Sequence, residues 1–427
     1  MRLYHLIRPY ARVALGVFYR KIYLTGAENV PRDKPVILAA NHPTAFTEPC
    51  IVACWLPQDL HFLVRGDFFR HPAANWALRQ LNQVPVFRFK DAGYAGVKNN
   101  RETFKAMYET LAANKTVMIL AEGNSGWEKR LRPLQKGSAR MLLEILETYP
   151  DIDVHLIPVG VNYVDAPRFR SDVMIDFGTS IRTTEYADTY RDVPAKAIRQ
   201  VTQRLDAAMR DLMVIIEDPA DEPLTEMLLQ MWTNERLVRP FPVTVRSRDR
   251  LNEQRQLANF VNDMAAPEKD TLRGRTSAYA AALNRHRLTD WGLLHPHFRN
   301  LWTTMVLALG CLPYVFGTLL NGPPAYLAYW IGREKFKSIE FKASIWASAG
   351  MGTFLIYYLL WFIVALIVGR AWFWLLFAFV PLLGYFAILY HEYLKKYRQA
   401  FRAAVVSPST RTALLEQRAE IRQRVLA

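Results

Sequence analysis

Two apolar stretches, Ala343 to Gly369 and Ala371 to Tyr390, restrict this chain more than any other feature. Each reaches the ~20 residues that cross a hydrocarbon core. Only the turn at Gly369-Arg370 separates them, so a tight C-terminal membrane helical hairpin is expected. Arg333, Lys335, Lys337 and Lys342 precede the pair, and Lys395, Lys396, Arg398 and Arg402 follow it. Basic flanks favour the cytoplasmic side, which puts both flanks there with an even number of crossings between them. A third stretch, 301–332, is too long for one simple span and is interrupted by Pro313 and by Asn321-Gly322-Pro323-Pro324. Arg285, Arg287 and Arg299 precede it and Arg333 follows, so the same rule makes both its ends cytoplasmic. The expectation is a re-entrant or broken hairpin turning at Asn321-Gly322. A buried soluble helix pair is the alternative, since broken helices at membrane depth need protein cover.

The remaining residues are of ordinary soluble character. With 51% hydrophobic residues the chain is too apolar for disorder. A formal net charge of +15 suits an anionic partner: nucleic acid, a membrane surface or a phosphorylated substrate. Nucleic acid is discounted, because no zinc-finger, RNP-like or basic-zipper pattern occurs and a chain that enters the bilayer already faces anionic lipid. A solvated basic surface without a single partner stays open. Cys50, Cys54 and Cys311 form no CxxC pair and have no histidine at zinc spacing, so neither a metal site nor a disulfide framework is expected. At the N-terminus, Arg8, Arg12 and Arg20 interrupt the apolar residues, unlike a signal peptide. That segment reads as an amphipathic helix, lying either on a membrane or against the core.

Short apolar runs recur with helical patterns between them: Pro35–Ala40, Leu60–Val64, Val84–Arg88, Thr116–Ala121, Val154–Val161 and Asp172–Gly178. Helices are expected over Asn100–Ala113, Ala139–Thr148, Lys196–Ile216 and Leu224–Trp232. Strands alternating with helices predict an α/β fold with a mixed, largely parallel sheet flanked by helices. The organisation read this way is a catalytic domain over 1–245, a charged helical connector over 246–299, a membrane region over 300–391 and a basic cytoplasmic tail over 392–427.

In open α/β sheets, ligands gather beyond the carboxyl ends of the strands. There stand Asn41, His42 and Glu48 after the first run, Arg88 after the third, and Glu122-Gly123-Asn124-Ser125 after the fourth. Imidazole titrates near neutrality, so His42 is suited to take a proton from a hydroxyl while Glu48 holds its other nitrogen. A satisfied strand-end histidine with a surface glutamate is the plainer alternative. Ser125 nearly sits in a G-x-S-x-G elbow, but Trp127 replaces the second glycine. A glycine turn whose N–H groups and serine hydroxyl bind phosphate is the more natural reading. Lys129, Arg130, Arg132, Lys136 and Arg140 follow, against one acid, Glu128. Arginine suits bidentate phosphate contacts, and a solvated basic face is the alternative.

The blocks "NHPTAFTEP", "VPVFR", "AEGNSGWEKRLRPLQKGSARM" and "HLIPVGVNY", in that order, resemble the four motif blocks of the glycerol-phosphate acyltransferases. The similarity covers roughly residues 22–178. It implies that His42 deprotonates a glycerol hydroxyl for direct attack on an acyl thioester, with Glu48 orienting it and no acyl-enzyme. It assigns Arg88, Glu122, Gly123, Asn124 and Ser125 to the glycerol-phosphate end, and Ile157, Pro158, Val159 and Gly160 to the acyl-donor side. Asn41, Arg132 and Lys136, by their place at the strand end and in the basic run, are further substrate-binding candidates. Most members carry His, four residues, then Asp; here position 47 is Thr and the acid is Glu48. Five intervening residues and the carboxy-terminal hairpin resemble the branch that includes fungal-type glycerol-3-phosphate acyltransferases. The implied partners are membrane lipid, glycerol-3-phosphate or lysophosphatidate, and acyl-CoA or acyl-carrier protein as co-substrate, with no bound cofactor and no metal. A serine-type lipid hydrolase and an inactive membrane scaffold are the rivals.

Overall fold

The computed structural model describes residues 3–86, 104–237, 239–336 and 338–426. The chain divides into two compact units that follow packing rather than chain order. One comprises Met1–Val214, Pro242–Leu251 and Lys335–Ala347; the other comprises Ile215–Phe241, Asn252–Glu334 and Ser348–Ala427.

The first unit is built on a nine-stranded sheet. Its strands are β1 (Lys21–Thr25), β2 (Val36–Ala40), β3 (Leu60–Arg65), β4 (Gln83–Val86), β5 (Thr116–Leu120), β6 (His155–Tyr163), β7 (Asp172–Phe177), β8 (Ile181–Arg182) and β9 (Thr244–Val245). Their order is β4-β3-β5-β2-β6-β7-β1-β9, with β8 paired to β6. Every pairing is parallel except β6 with β7 and β6 with β8. All six predicted strands are present, within two residues of their expected starts and ends wherever those fall among the described residues. β2 is buried at every position, because β5 and β6 pair with its two edges and helices cover its faces. That is why its sequence is continuously apolar rather than alternating.

The helices of this unit are α1 (Leu3–Phe18), α2 (Thr47–Trp55), α3 (Pro72–Gln80), α4 (described over 104–112), α5 (Gly137–Glu144), α6 (Ala187–Asp192) and α7 (Pro194–Arg210). Arg88 and the end of its predicted strand lie outside the described residues.

Pro158 would be misplaced in most central strands, having no N–H to donate. Here β8 stops at the pair Leu156–Ile181 and β7 begins at Val159–Phe177, so Pro158 faces the gap between them. Its carbonyl still accepts from the Gly178 N–H at 2.8 Å.

The second unit is helical: α8 (Glu222–Asn234), α9 (Asp249–Asp263) from Asn252 on, α10 (Ala266–Arg285), α11 (Asp290–Leu294), α12 (Leu301–Tyr329), α13 (Ile339–Val368) from Ser348 on, α14 (Ala371–Val405) and α15 (Pro408–Leu426). The segments read as connector and tail are a packed core here: Leu228, Val261, Tyr279, Leu283, Leu414 and Ile421 belong to one buried cluster. At its polar centre Arg418 donates to Asp290 at 2.8 Å, Glu235 at 3.0 Å and the Met231 carbonyl at 2.8 Å.

Helices α12, α13 and α14 are each long and apolar enough to cross a membrane. The hairpin turn between α13 and α14 falls where the sequence puts it, with Gly369 at φ +63°. The expected turn at Asn321-Gly322 is corrected: α12 is helical from Leu301 through Tyr329, with Pro313, Pro323 and Pro324 inside it. Proline at 324 removes the donor that the Leu320 carbonyl would have used. The Tyr357 hydroxyl donates to that carbonyl instead. Asn321 Nδ2 donates to the Gly317 and Val380 carbonyls, each at 3.0 Å. The Tyr357 hydroxyl thus re-satisfies a carbonyl that proline freed, Asn321 ties α12 to α14, and no chain reversal is needed.

Candidate active site

The site grows from the carboxyl ends of three parallel neighbours, β5, β2 and β6. β2 ends at Ala40, and Asn41 continues its ladder with a side chain. Asn41 Nδ2 donates to the Val161 carbonyl at 2.9 Å, and the Val161 N–H donates back to Asn41 Oδ1 at 2.7 Å. The Asn41 amide is therefore a strand-end brace that sets where His42 begins. His42 is 7% exposed.

Glu122 holds the loop by its backbone. The His42 N–H donates to Glu122 Oε2 at 2.6 Å. Arg132 meets the same carboxylate through Nη2 at 2.8 Å, Nε at 3.2 Å and its backbone N–H at 2.9 Å. Arg132 Nη2 also donates to the His42 carbonyl at 3.2 Å and the Asn124 carbonyl at 2.6 Å. The Gly126 N–H donates to the His42 carbonyl as well, at 3.0 Å. Glu122 and Arg132 thus form a buried charge-assisted clamp on the histidine's own peptide groups, a use of the pair that sequence reasoning assigned to phosphate binding. Gly123, at φ +78°, makes the turn that aims Glu122 back at β2.

Glu48, six residues after His42, lies in the first turn of α2 and is 0% exposed. The Thr44 N–H donates to its Oε1. Its Oε2 is buried with no hydrogen-bond partner among the described residues. Burial pushes the carboxyl up to about 8, the nearby Glu122 charge adds to this, and the backbone N–H groups of Glu48 and Thr44 partly offset it. Around it stand the buried Tyr19 and Tyr163, whose rings are 5.9 Å apart and whose hydroxyls are pushed up by burial.

The other predicted residues fall into two groups. Gly123, Asn124 and Ser125 form the coil beyond β5, and Lys136 stands exposed just before α5. Ile157, Pro158, Val159 and Gly160 are buried inside β6, within the sheet. Gly160 is required there, because an added Cβ would lie 2.3 Å from the Leu212 carbonyl oxygen. Ser125 is no nucleophile elbow: that motif passes directly from strand to helix, whereas α5 begins only at Gly137.

Sequence reasoning missed the layer beneath the loop. Thr44 and Thr47 are buried, and so is Ser344, which reaches them from the first turns of α13. The threonines stand inside the motif and were readable as polar groups beside a histidine. Ser344 lies some 300 positions away in an apolar stretch and gives no local signal.

Residues 21–162 match the family model described as Acyltransferase. Glycerol-3-phosphate O-acyltransferase 1 of Saccharomyces cerevisiae is 23% identical over 267 residues, covering 59% of this chain and 34% of that protein. Glycerol-3-phosphate O-acyltransferase 2 of the same yeast is 26% identical over 151 residues, covering 35% of this chain and 20% of that protein. Residues 21–162 thus form an acyltransferase domain, and the sequence around it is similar to glycerol-3-phosphate acyltransferases. His42, Glu48 and Glu122 all lie within the matched segment of that domain. An uncharacterized acyltransferase of Schizosaccharomyces pombe is 27% identical over 421 residues, covering 76% of this chain and 61% of that protein. The match thus spans less than two thirds of each of these relatives. Among solved structures, the 1-acyl-sn-glycerophosphate (LPA) acyltransferase PlsC from Thermotoga maritima aligns with a TM-score of 0.32 at 16% identity. That alignment covers 49% of this chain and 79% of PlsC, a likeness too weak to argue from.

Proposed function

We propose that this acyltransferase moves a fatty acyl group from an acyl thioester, on coenzyme A or acyl-carrier protein, to the hydroxyl of glycerol-3-phosphate or 1-acylglycerol-3-phosphate. The observation that carries the reading is a buried histidine at the end of β2 whose peptide groups are clamped by Glu122 and Arg132. In this mechanism the His42 imidazole takes the hydroxyl proton as that oxygen attacks the thioester carbonyl. Collapse of the tetrahedral intermediate expels the thiolate, which recovers the proton from the imidazolium. Glu48, as carboxylate, stabilises the imidazolium, and no acyl-enzyme forms. Glycerol-3-phosphate is the favoured acceptor, because two of the relatives carry it in their names. With Arg132 engaged in the clamp, we assign the acceptor phosphate to Arg88, Lys136 and the turn Gly123-Asn124-Ser125. The apolar helices support a membrane-bound enzyme, and the basic residues flanking the α13–α14 hairpin support a cytoplasm-facing site.

The test is an assay of the purified chain with glycerol-3-phosphate and lysophosphatidate, each with both donors. His42→Ala is expected to lower acyl transfer at least about a hundredfold, without loss of fold. Ser125→Ala should raise the acceptor KM and leave kcat within twofold. Full turnover by His42→Ala would overturn the mechanism, and abolition by Ser125→Ala would favour the hydrolase.

A further inference from the structure

The loop between His42 and Glu48 is closed from below by a residue that the reaction scheme does not use. Ser344 is 1% exposed. Its Oγ lies 2.7 Å from Thr47 Oγ1, donates to Thr44 Oγ1 at 3.4 Å and accepts from the Phe46 N–H at 3.3 Å. One turn earlier, the Glu340 carbonyl accepts from the Ala45 N–H at 3.1 Å. Four consecutive residues, Thr44 to Thr47, are therefore tied to the start of α13. Thr44 in turn donates its N–H to Glu48.

Helix length explains how a span-forming helix reaches this place. α13 has 30 residues, ~45 Å at the usual rise per residue, against a hydrocarbon core of ~30 Å. Its first turns, through Ala347, belong to the sheet unit, and the apolar remainder suffices for a span.

We propose that Ser344 is a positioning residue for the catalytic loop, holding Thr44 and Thr47 so that Glu48 is set against His42. The proposal rests on the acyltransferase reading. Removing the hydroxyl leaves the half-buried Phe46 N–H and the buried Thr47 hydroxyl without that partner. Looser Thr44 also weakens the N–H bond that favours the ionised form of Glu48. The groups facing Glu48 from the surrounding elements, Tyr19, Tyr163, Cys50 and Glu122, are unchanged by the substitution.

The experiment compares the full wild-type chain with Ser344→Ala in detergent micelles. It measures kcat, both KM values, the pH–rate profile and hydrogen exchange of the 41–48 peptide. We expect kcat to fall about tenfold, both KM values to stay within twofold, and the acidic limb to move to higher pH. Exchange over 41–48 should quicken about tenfold, with the β-sheet peptides unchanged. Unaltered kcat and profile, a change confined to acceptor KM, or faster exchange throughout the sheet would each overturn the proposal. If the wild-type chain transfers no acyl group to any acceptor, the functional reading fails. Exchange over 41–48 then decides the inference alone: quickened supports it, unaltered overturns it.

Discussion

The two flanks of the His42 loop each present a buried carboxylate, and the protein treats them oppositely. On the β5 flank, Glu122 receives one arginine and two backbone N–H groups, so its charge is matched where it sits. On the α2 flank, Glu48 receives the Thr44 N–H at one oxygen, and burial works against its charge. A satisfied carboxylate rigidifies; an under-satisfied one is ready for a new cation to appear beside it. From this difference we infer a scaffold role for Glu122 and, on the acyltransferase reading, a chemical one for Glu48. A linear motif makes the two acids look interchangeable.

The sharpest way to break this comparison is Glu122→Gln. The substitution leaves Arg132 beside a neutral amide that can no longer accept at full strength from both sides. Breaking one partner of a buried pair costs about 3–5 kcal/mol. Arg132 retains some solvent contact, so the lower end is expected. Denaturant unfolding should show that loss, and activity should fall with it, since the His42 peptide loses its anchor. A stable but inactive Glu122→Gln protein would place Glu122 in the chemistry instead.

Glu48→Gln is expected to behave in the opposite way. Turnover should drop about a hundredfold, while the fold gains stability at alkaline pH. The native carboxyl titrates near 8 and the unfolded one near its ordinary value of 4.5. Between those limits the native state holds a proton that the unfolded chain has released. Wild-type stability therefore falls as pH rises through that window and levels off above it. The glutamine variant lacks this slope, so its advantage should grow with pH and be greatest above 8. In the wild type, kcat should rise with pH along a limb near 8, and the variant should lack that limb. Parallel stability curves for the two proteins would remove the distinction between the flanks.

Much of this arrangement was legible in the sequence, for identifiable reasons. Continuous apolar runs such as Val36–Ala40 mark central strands because both faces are covered, and the residues just beyond them are where a parallel sheet opens. His42, Glu48 and Glu122 were found that way. The different surroundings of the two acids were not legible, since they depend on which acid Arg132 reaches after the chain folds back from position 132 to position 42. Asn41 and the β6 block 157–160, expected at the substrate, also brace and fill the sheet. A buried amide pairing with a strand carries the same letters as one that meets a ligand. The unbroken α12 was hidden because proline signals a break, and the group that meets a freed carbonyl, the Tyr357 hydroxyl, becomes its neighbour only in three dimensions. Ser344 was hidden by distance along the chain.

The smallest effect tests the β5 flank without touching its charges. Gly123 holds φ +78°, where an L-residue pays in backbone strain, and an added Cβ would lie 2.9 Å from Gln135 Cγ. Gln135 is exposed and can swing aside, so most of the penalty comes from the backbone, about 1–2 kcal/mol for alanine. Gly123→Ala should therefore lower the unfolding midpoint modestly and shift Glu122 relative to the His42 N–H. Gly123→Asn should cost less, because asparagine enters the left-handed region more readily. If the clamp is what places His42, kcat should follow the same order, glycine above asparagine above alanine, with the limb near 8 unmoved because Glu48 is left alone. A displaced limb with unchanged kcat would mean that the two flanks are coupled through charge rather than divided between scaffold and chemistry.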